Sequence, residues 1–170
     1  MKKLILTLSI FLSLAFVNEA NAQQQKFGHV NSQELFETMP EVANLRTQLT
    51  NKSKQYETQL QGLYTTYQTL VGDLQQNMSS YTEIVLQQKY KEAEDLEKRI
   101  TNTEAEAQKE LQRYEAEKLK PIEDKAFAAI QKVAQANGFT YVFDSSLGVL
   151  IYKPASDDIT NLVKAQLGIY

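Results

Sequence analysis

The spacing of apolar residues changes repeatedly along this chain, and each change marks a new element. An unbroken apolar run over residues 4–17 comes first. A short alternating segment follows at residues 26–31, with Phe27, His29 and Asn31 on one face and Gly28 and Val30 on the other, as in a β-strand. Asn31 or Ser32 can then cap a short helix carrying Leu35 and Phe36, with Glu34 in capping-box register three residues after Asn31. Pro40 interrupts that helix.

From about Glu41 the period becomes that of a long helix. Leu45, Leu49, Lys52, Tyr56, Leu60, Leu63, Tyr67, Leu70, Leu74 and Met78 are spaced three and four apart, with one stutter near residues 56–60. A second run places Leu86, Ala93, Ile100, Ala107 and Tyr114 seven apart. Tyr90 and Leu111 supply its other seam position, which Glu97 and Glu104 weaken. Between the runs, residues 76–82 read Gln-Asn-Met-Ser-Ser-Tyr-Thr. Side chains of Ser and Asn compete for backbone hydrogen bonds there and favour a break. Two thin seams of similar length predict an antiparallel coiled-coil hairpin on the order of 50 Å long, rather than one helix twice that length.

At Lys120-Pro121 the helix is expected to kink or restart. A helix over residues 122–137 follows, with a broad apolar face of Ile122, Ala126, Phe127, Ala129, Ile130, Val133 and Ala134, ending at Asn137-Gly138. Alternation then returns. Phe139, Tyr141 and Phe143 alternate with Thr140 and Val142, a turn follows, and Val149, Leu150, Ile151 and Tyr152 form a further strand stopped by Pro154. Ser156 or Asp157 is expected to cap a last helix carrying Ile159, Leu162, Val163 and Leu167.

The predicted fold is therefore α+β and mostly α, with three short strands per chain. The first strand must meet the last two, so the hairpin is an insertion. Residues 23–43 and 119–170 form a small β/α body and residues 44–118 a coiled-coil arm. A body of three short strands buries little alone, and open sheet edges are a liability. Oligomerisation through the sheet is the expected remedy, and it assigns Phe27, Val30, Phe139, Tyr141, Val142, Phe143, Val149, Leu150, Ile151 and Tyr152 to the assembly strands.

Composition changes the picture at three points. Lys2 and Lys3 precede the first apolar run, and Ala20-Asn21-Ala22 follows it. This is the pattern of an export signal over residues 1–22, cleaved after Ala22. The run is shorter than the ~20 residues of a membrane span, and no Cys follows to take a lipid. The chain has no cysteine at all, so packing or assembly must hold an exported product together. Charge is unevenly placed: residues 58–82 carry one charged side chain, Asp73, and residues 83–118 carry seventeen. The charge-poor stretch contains Leu63, Tyr64, Tyr67, Leu70, Val71, Leu74, Met78 and Tyr81, the candidate contact residues for an apolar partner. Leu63, Tyr67, Leu70 and Leu74 suit the hairpin seam; Tyr64, Val71 and Tyr81 fit it less well.

The export signal, the segment "KFGHVNSQELFETMP", the coiled-coil insertion and the segment "EKLKPIEDKAFAAIQKVAQANGFTYVFDSSLGVLIYKPASDDIT" together resemble the periplasmic Skp/OmpH-like chaperones over the whole chain. The resemblance implies a homotrimer with a small β-barrel body and three arms around a cavity. That cavity would hold unfolded outer-membrane proteins and prevent their aggregation without ATP. One departure concerns charge. Members of that family are often strongly basic, whereas residues 44–118 here hold ten basic and twelve acidic side chains. Lipopolysaccharide binding is therefore unsupported, and nucleic-acid binding has no basic surface to rest on.

No residues point to catalysis. His29 is the single histidine and is read as a strand histidine, with no second His or Cys for a metal site. Asp144, Asp157 and Asp158 suit turn and cap positions. No phosphate-binding glycine loop or nucleophile motif is present, so neither cofactor nor metal is expected. The alternative function is a structural coiled-coil adaptor docking to another cell-envelope protein.

Overall fold

The computed structural model describes residues 25–169; the export signal assigned to residues 1–22 lies outside the described residues. The elements are β1 (Phe27–Val30), α1 (Ser32–Thr38), α2 (Pro40–Asn77), a 3-10 turn (Met78–Ser80), α3 (Glu83–Ala136), β2 (Tyr141–Asp144), a second 3-10 turn (Ala155–Asp157) and α4 (Thr160–Leu167). The chain is mostly helical, with a small two-stranded sheet.

Local chemistry places most of these boundaries. Asn31 Oδ1 accepts from the Glu34 amide at 3.1 Å and starts α1. Pro40 opens α2 from the first turn, where its missing N–H costs nothing. The 3-10 turn reverses the chain, and Thr82 Oγ1 accepts from the Val85 amide to begin α3. α2 and α3 pack against each other as the arm. At 38 residues, α2 is about 57 Å long at 1.5 Å per residue.

Pro121 does not interrupt α3, which runs unbroken for 54 residues from the arm into the body. Of the kink or restart expected there, the restart does not occur, and packing is the reason. Tyr114 and Leu119 before the proline, and Ile122 and Ala126 after it, all join one hydrophobic core. Their burial offsets the hydrogen bond that a proline removes.

That core also takes Val30, Leu35, Met39, Val42, Ile159 and Val163. β1 and β2 lie parallel, with Phe27 opposite Tyr141 and Val30 opposite Asp144. Gly28 and Val30 turn toward Phe139 and the helices. A Cβ at Gly28 would sit 2.9 Å from the Phe139 ring, so the glycine permits this close approach. On the other edge of β1, His29 bridges to Asp158.

Two expectations about the sheet are corrected. Among the described residues there are two strands, not three. Val149, Leu150, Ile151 and Tyr152 lie outside any strand, and Ile151 is fully exposed. The cause is Asp144, whose carboxylate captures both the amide and the hydroxyl of Ser146, at 2.9 and 2.8 Å. It also reaches Ser32 at the start of α1, so the chain turns toward that helix instead of folding back along β2. Phe139 likewise precedes β2 rather than belonging to it. The cap of α4 is corrected too. Residues 155–157 form their own turn, and Asp158 Oδ1 accepts from the Thr160 amide at 2.8 Å.

Candidate functional site

The arm is built from a seam whose second half lies one residue earlier than the spacing suggested. Leu86, Ala93, Ile100, Ala107 and Tyr114 are partnered by Lys89, Leu96, Thr103 and Glu110, which are buried or half-buried. Of the positions the spacing suggested, Leu111 is half-buried as expected, whereas Tyr90, Glu97 and Glu104 are exposed. Residues three and four apart share a helix face, so the sequence alone left the choice open. Leu96, buried at the seam centre, escaped the sequence reading for that reason.

Polar seam positions are matched across the hairpin. Lys52 lies 3.4 Å from Glu110, and Lys89 lies 2.7 Å from Asp73. Such partly exposed pairs add little stability, but they allow charged residues to occupy the seam. Two tyrosines of α2 cross to carboxylates on α3: Tyr64 donates to Glu104 at 2.7 Å and Tyr67 to Glu97 at 3.0 Å. The glutamates expected to weaken the seam thus bind tyrosine hydroxyls at its margin.

Asp73 organises the arm tip. Its carboxylate accepts from Lys89 Nζ, Tyr81 Oη and Asn77 Nδ2, each at 2.7 or 2.8 Å. Lys89 first, then Tyr81 and Asn77, hold the Asp73 pKa down to about 2. The one charge of residues 58–82 is therefore consumed internally, and the stretch shows no free charge to a partner. A depressed carboxylate pKa contributes stability present above the unfolded value of about 3.9 and lost as pH falls through the folded one. Acidification from about pH 4 to 2 is expected to release the Tyr81 ring, read from its proton resonances. D73N should lack this transition; an identical transition in D73N would refute the assignment.

The candidate contact residues divide by exposure. Leu74 is buried, and Leu63, Tyr67, Leu70, Val71 and Tyr81 are half-buried. Tyr64 and Met78 are 42% and 48% exposed. Ile84 and Tyr90, outside the candidate stretch, are exposed beside the tip, and the Tyr90 hydroxyl lies 3.7 Å from the Met78 sulfur. Ile84 had one sequence signal: it is an apolar residue off the heptad in the first turn after the Thr82 cap.

The body carries a second exposed apolar surface. Residues in parallel register point the same way. Phe27, Tyr141 and Phe143 accordingly form an aromatic row on the outer face of the sheet, with ring centroids 5.9–6.5 Å apart. Leu147, Val149, Ile151 and Tyr152 extend the exposed apolar area along the segment after β2. Among the described residues no cluster of His, Cys, Asp and Glu is placed to hold a metal ion. No helix among them is long and apolar enough to cross a membrane.

The family model described as "Outer membrane protein (OmpH-like)" matches residues 26–167. The chaperone protein Skp of Yersinia enterocolitica is 30% identical over 169 residues, covering 98% of this chain and 99% of its own. Skp of Photorhabdus luminescens is 29% identical over 174 residues with the same coverage. A solved OmpH-like outer membrane chaperone from Caulobacter crescentus superposes with a TM-score of 0.75 at 18% identity, covering 84% of this chain and 83% of its own. That likeness speaks to the fold alone.

Proposed function

The chain belongs to the OmpH-like outer membrane protein family, and on that premise we propose that it is an ATP-independent holdase chaperone of the periplasm. Its clients are unfolded outer-membrane proteins, held between helical arms and kept from aggregating. Residues 1–22 direct export and are removed. Residues 23–43 and 119–170 form the assembly body, and residues 44–118 form the arm. The protein has no catalytic role and needs no cofactor.

The body assembles as a homotrimer. The open edge of β2, the aromatic row and the strand-prone residues 149–152 are the surfaces that a second and third copy would cover. Closing the sheets into a barrel would remove the edges that one chain leaves open.

The observation that carries the reading is the arm surface. Around Tyr64, Val71 and Met78 the α2 face is partly apolar, and its one charge, Asp73, is paired with Lys89. Many weak contacts of this kind, repeated on three arms, hold a client by avidity rather than by one pocket. Replacing Tyr64, Val71 and Met78 together with serine is expected to reduce aggregation suppression severalfold. The assay is light scattering of a denatured outer-membrane protein diluted with the chaperone. Sedimentation should show the oligomer unchanged, and Tyr64→Phe should retain activity, since the ring rather than the hydroxyl makes the contact. Full suppression by the triple variant would remove the arm face from the mechanism. Absence of suppression by the unaltered protein, with capture of one folded envelope protein, would favour the adaptor reading.

A further inference from the structure

His29 occupies an unusual place in the body. It is 5% exposed, although it sits on the outer face of the sheet in register with Phe143. What covers it is the segment after β2. His29 Nε2 lies 3.0 Å from the Pro154 carbonyl oxygen. A carbonyl only accepts, so Nε2 carries the hydrogen. In the neutral ring the other nitrogen, Nδ1, is then a bare acceptor, and it is buried without a hydrogen-bond partner. Its nearest charged neighbour is the Asp158 carboxylate, with Oδ2 at 3.9 Å.

The backbone repeats the connection. The Ile159 amide donates to the His29 carbonyl at 2.9 Å. His29 therefore fastens β1 to residues 154–159 by both main chain and side chain. Those residues anchor one end of the largely exposed strap, residues 145–153, whose other end Asp144 ties down through Ser146. We propose that His29 is a proton-operated latch on this strap. With the ring neutral, its one hydrogen bond is the Pro154 contact. With Nδ1 protonated, the imidazolium spans the Pro154 carbonyl and the Asp158 carboxylate and clamps the strap to β1.

The surrounding charges favour this direction. Asp158 is an acceptor at neutral pH. Burial pushes its carboxyl up, but the Thr160 hydrogen bonds, with His29 and Lys153 nearby, bring it below the usual range. The other charged groups are otherwise engaged or more remote. Asp144 is bound to Ser32 and Ser146, and Lys164 of α4 is paired with Glu34. Asp157, on the turn before Asp158, accepts from the Ser156 hydroxyl, while Lys153 lies near enough to Asp158 to lower its carboxyl. Imidazole changes charge between pH 5 and 8, within the range an exported protein meets. The strap is thus held more firmly near pH 5.5 than near pH 8.

The test is hydrogen–deuterium exchange of the full chain at pH 5.5 and 8.0, corrected for intrinsic exchange rates. Amides of residues 155–159 are expected to be about threefold or more better protected at pH 5.5. His29→Gln keeps a donor for Pro154 but cannot take a charge, and it should abolish the difference. Asp158→Asn should do so as well, which covers the case in which the buried substitution disturbs folding. Equal protection at both pH values in the unaltered protein would overturn the proposal, as would a difference that survives in both variants. The effect on assembly rests on the strap serving as an interface between copies, and sedimentation at the two pH values tests that separately. A strap that responds to pH in an oligomer that does not would support the latch and overturn the assembly role of the strap.

Discussion

Replacing Leu35 with alanine is expected to remove a large share of the body's stability. Leu35 is 0% exposed and lies within the cluster that joins α1, α2, α3 and α4. Removing its side chain loses transfer energy and leaves a cavity between elements that cannot all collapse into it, at a cost of about 3 kcal/mol. A small body has little reserve, since whole domains are stable by only about 5–15 kcal/mol. The urea midpoint should fall markedly, and assembly should be lost with it. Leu35→Met, which conserves volume, should cost less than about 1.5 kcal/mol. A midpoint for L35A equal to that of L35M would show that this core does not limit stability.

Replacing Asp144 with alanine is expected to be nearly as damaging. Its carboxylate accepts from the Ser32 amide and hydroxyl at 3.3 and 2.5 Å, and from the Ser146 amide and hydroxyl at 2.9 and 2.8 Å. The substitution strands these part-buried donors and should cost about 2–3 kcal/mol. Burial raises the Asp144 carboxyl, but hydrogen bonds from Ser32 and Ser146 outweigh it and hold the group below its ordinary value. The stabilisation is therefore present above about pH 3.9 and declines as pH falls through the lower folded value. Urea melts of both proteins at neutral and at acidic pH provide the check. The deficit of D144A should narrow in acid, and a deficit independent of pH would mean that the carboxylate charge is not what ties β2 to α1.

Much of this architecture was legible because local chemistry and long-range packing agree. Asn31 caps the helix its position suggested, and the Ser- and Asn-rich segment after Gln76 makes the turn between the two arm helices. The pairing of β1 with β2 across the inserted arm also followed from the pattern. Where the pattern misled, a tertiary term decided. Burial on both sides of Pro121 carries α3 through a residue that ends most helices. The apolar run at residues 149–152 reports a segment suited to a pleated surface, and a single chain provides no partner for it. The choice between Leu96 and Glu97 as a seam residue turns on one residue of offset, which a 3.5-residue repeat does not resolve. The candidate contact face was visible as an absence of charge, but the capture of Asp73 by Lys89 and Tyr81 was not. That network joins residues 8 and 16 positions apart around the turn.

The insertion of the arm between the two strands sets an order on folding. Lys26 and Thr140 are 114 residues apart when they meet beside the sheet. Closing a disordered loop of that length costs about 4 kcal/mol in chain entropy before any contact compensates it. The arm hairpin needs only the short closure at residues 78–80 and can zip from its tip toward its root, contact by neighbouring contact. Once zipped, it delivers the two ends of the body to each other, and the remaining loops are a few residues long. The sheet is therefore the last element to form. β1 waits with its edges unpaired until the chain has emerged as far as Asp144, and for that interval the protein is itself an aggregation-prone chain.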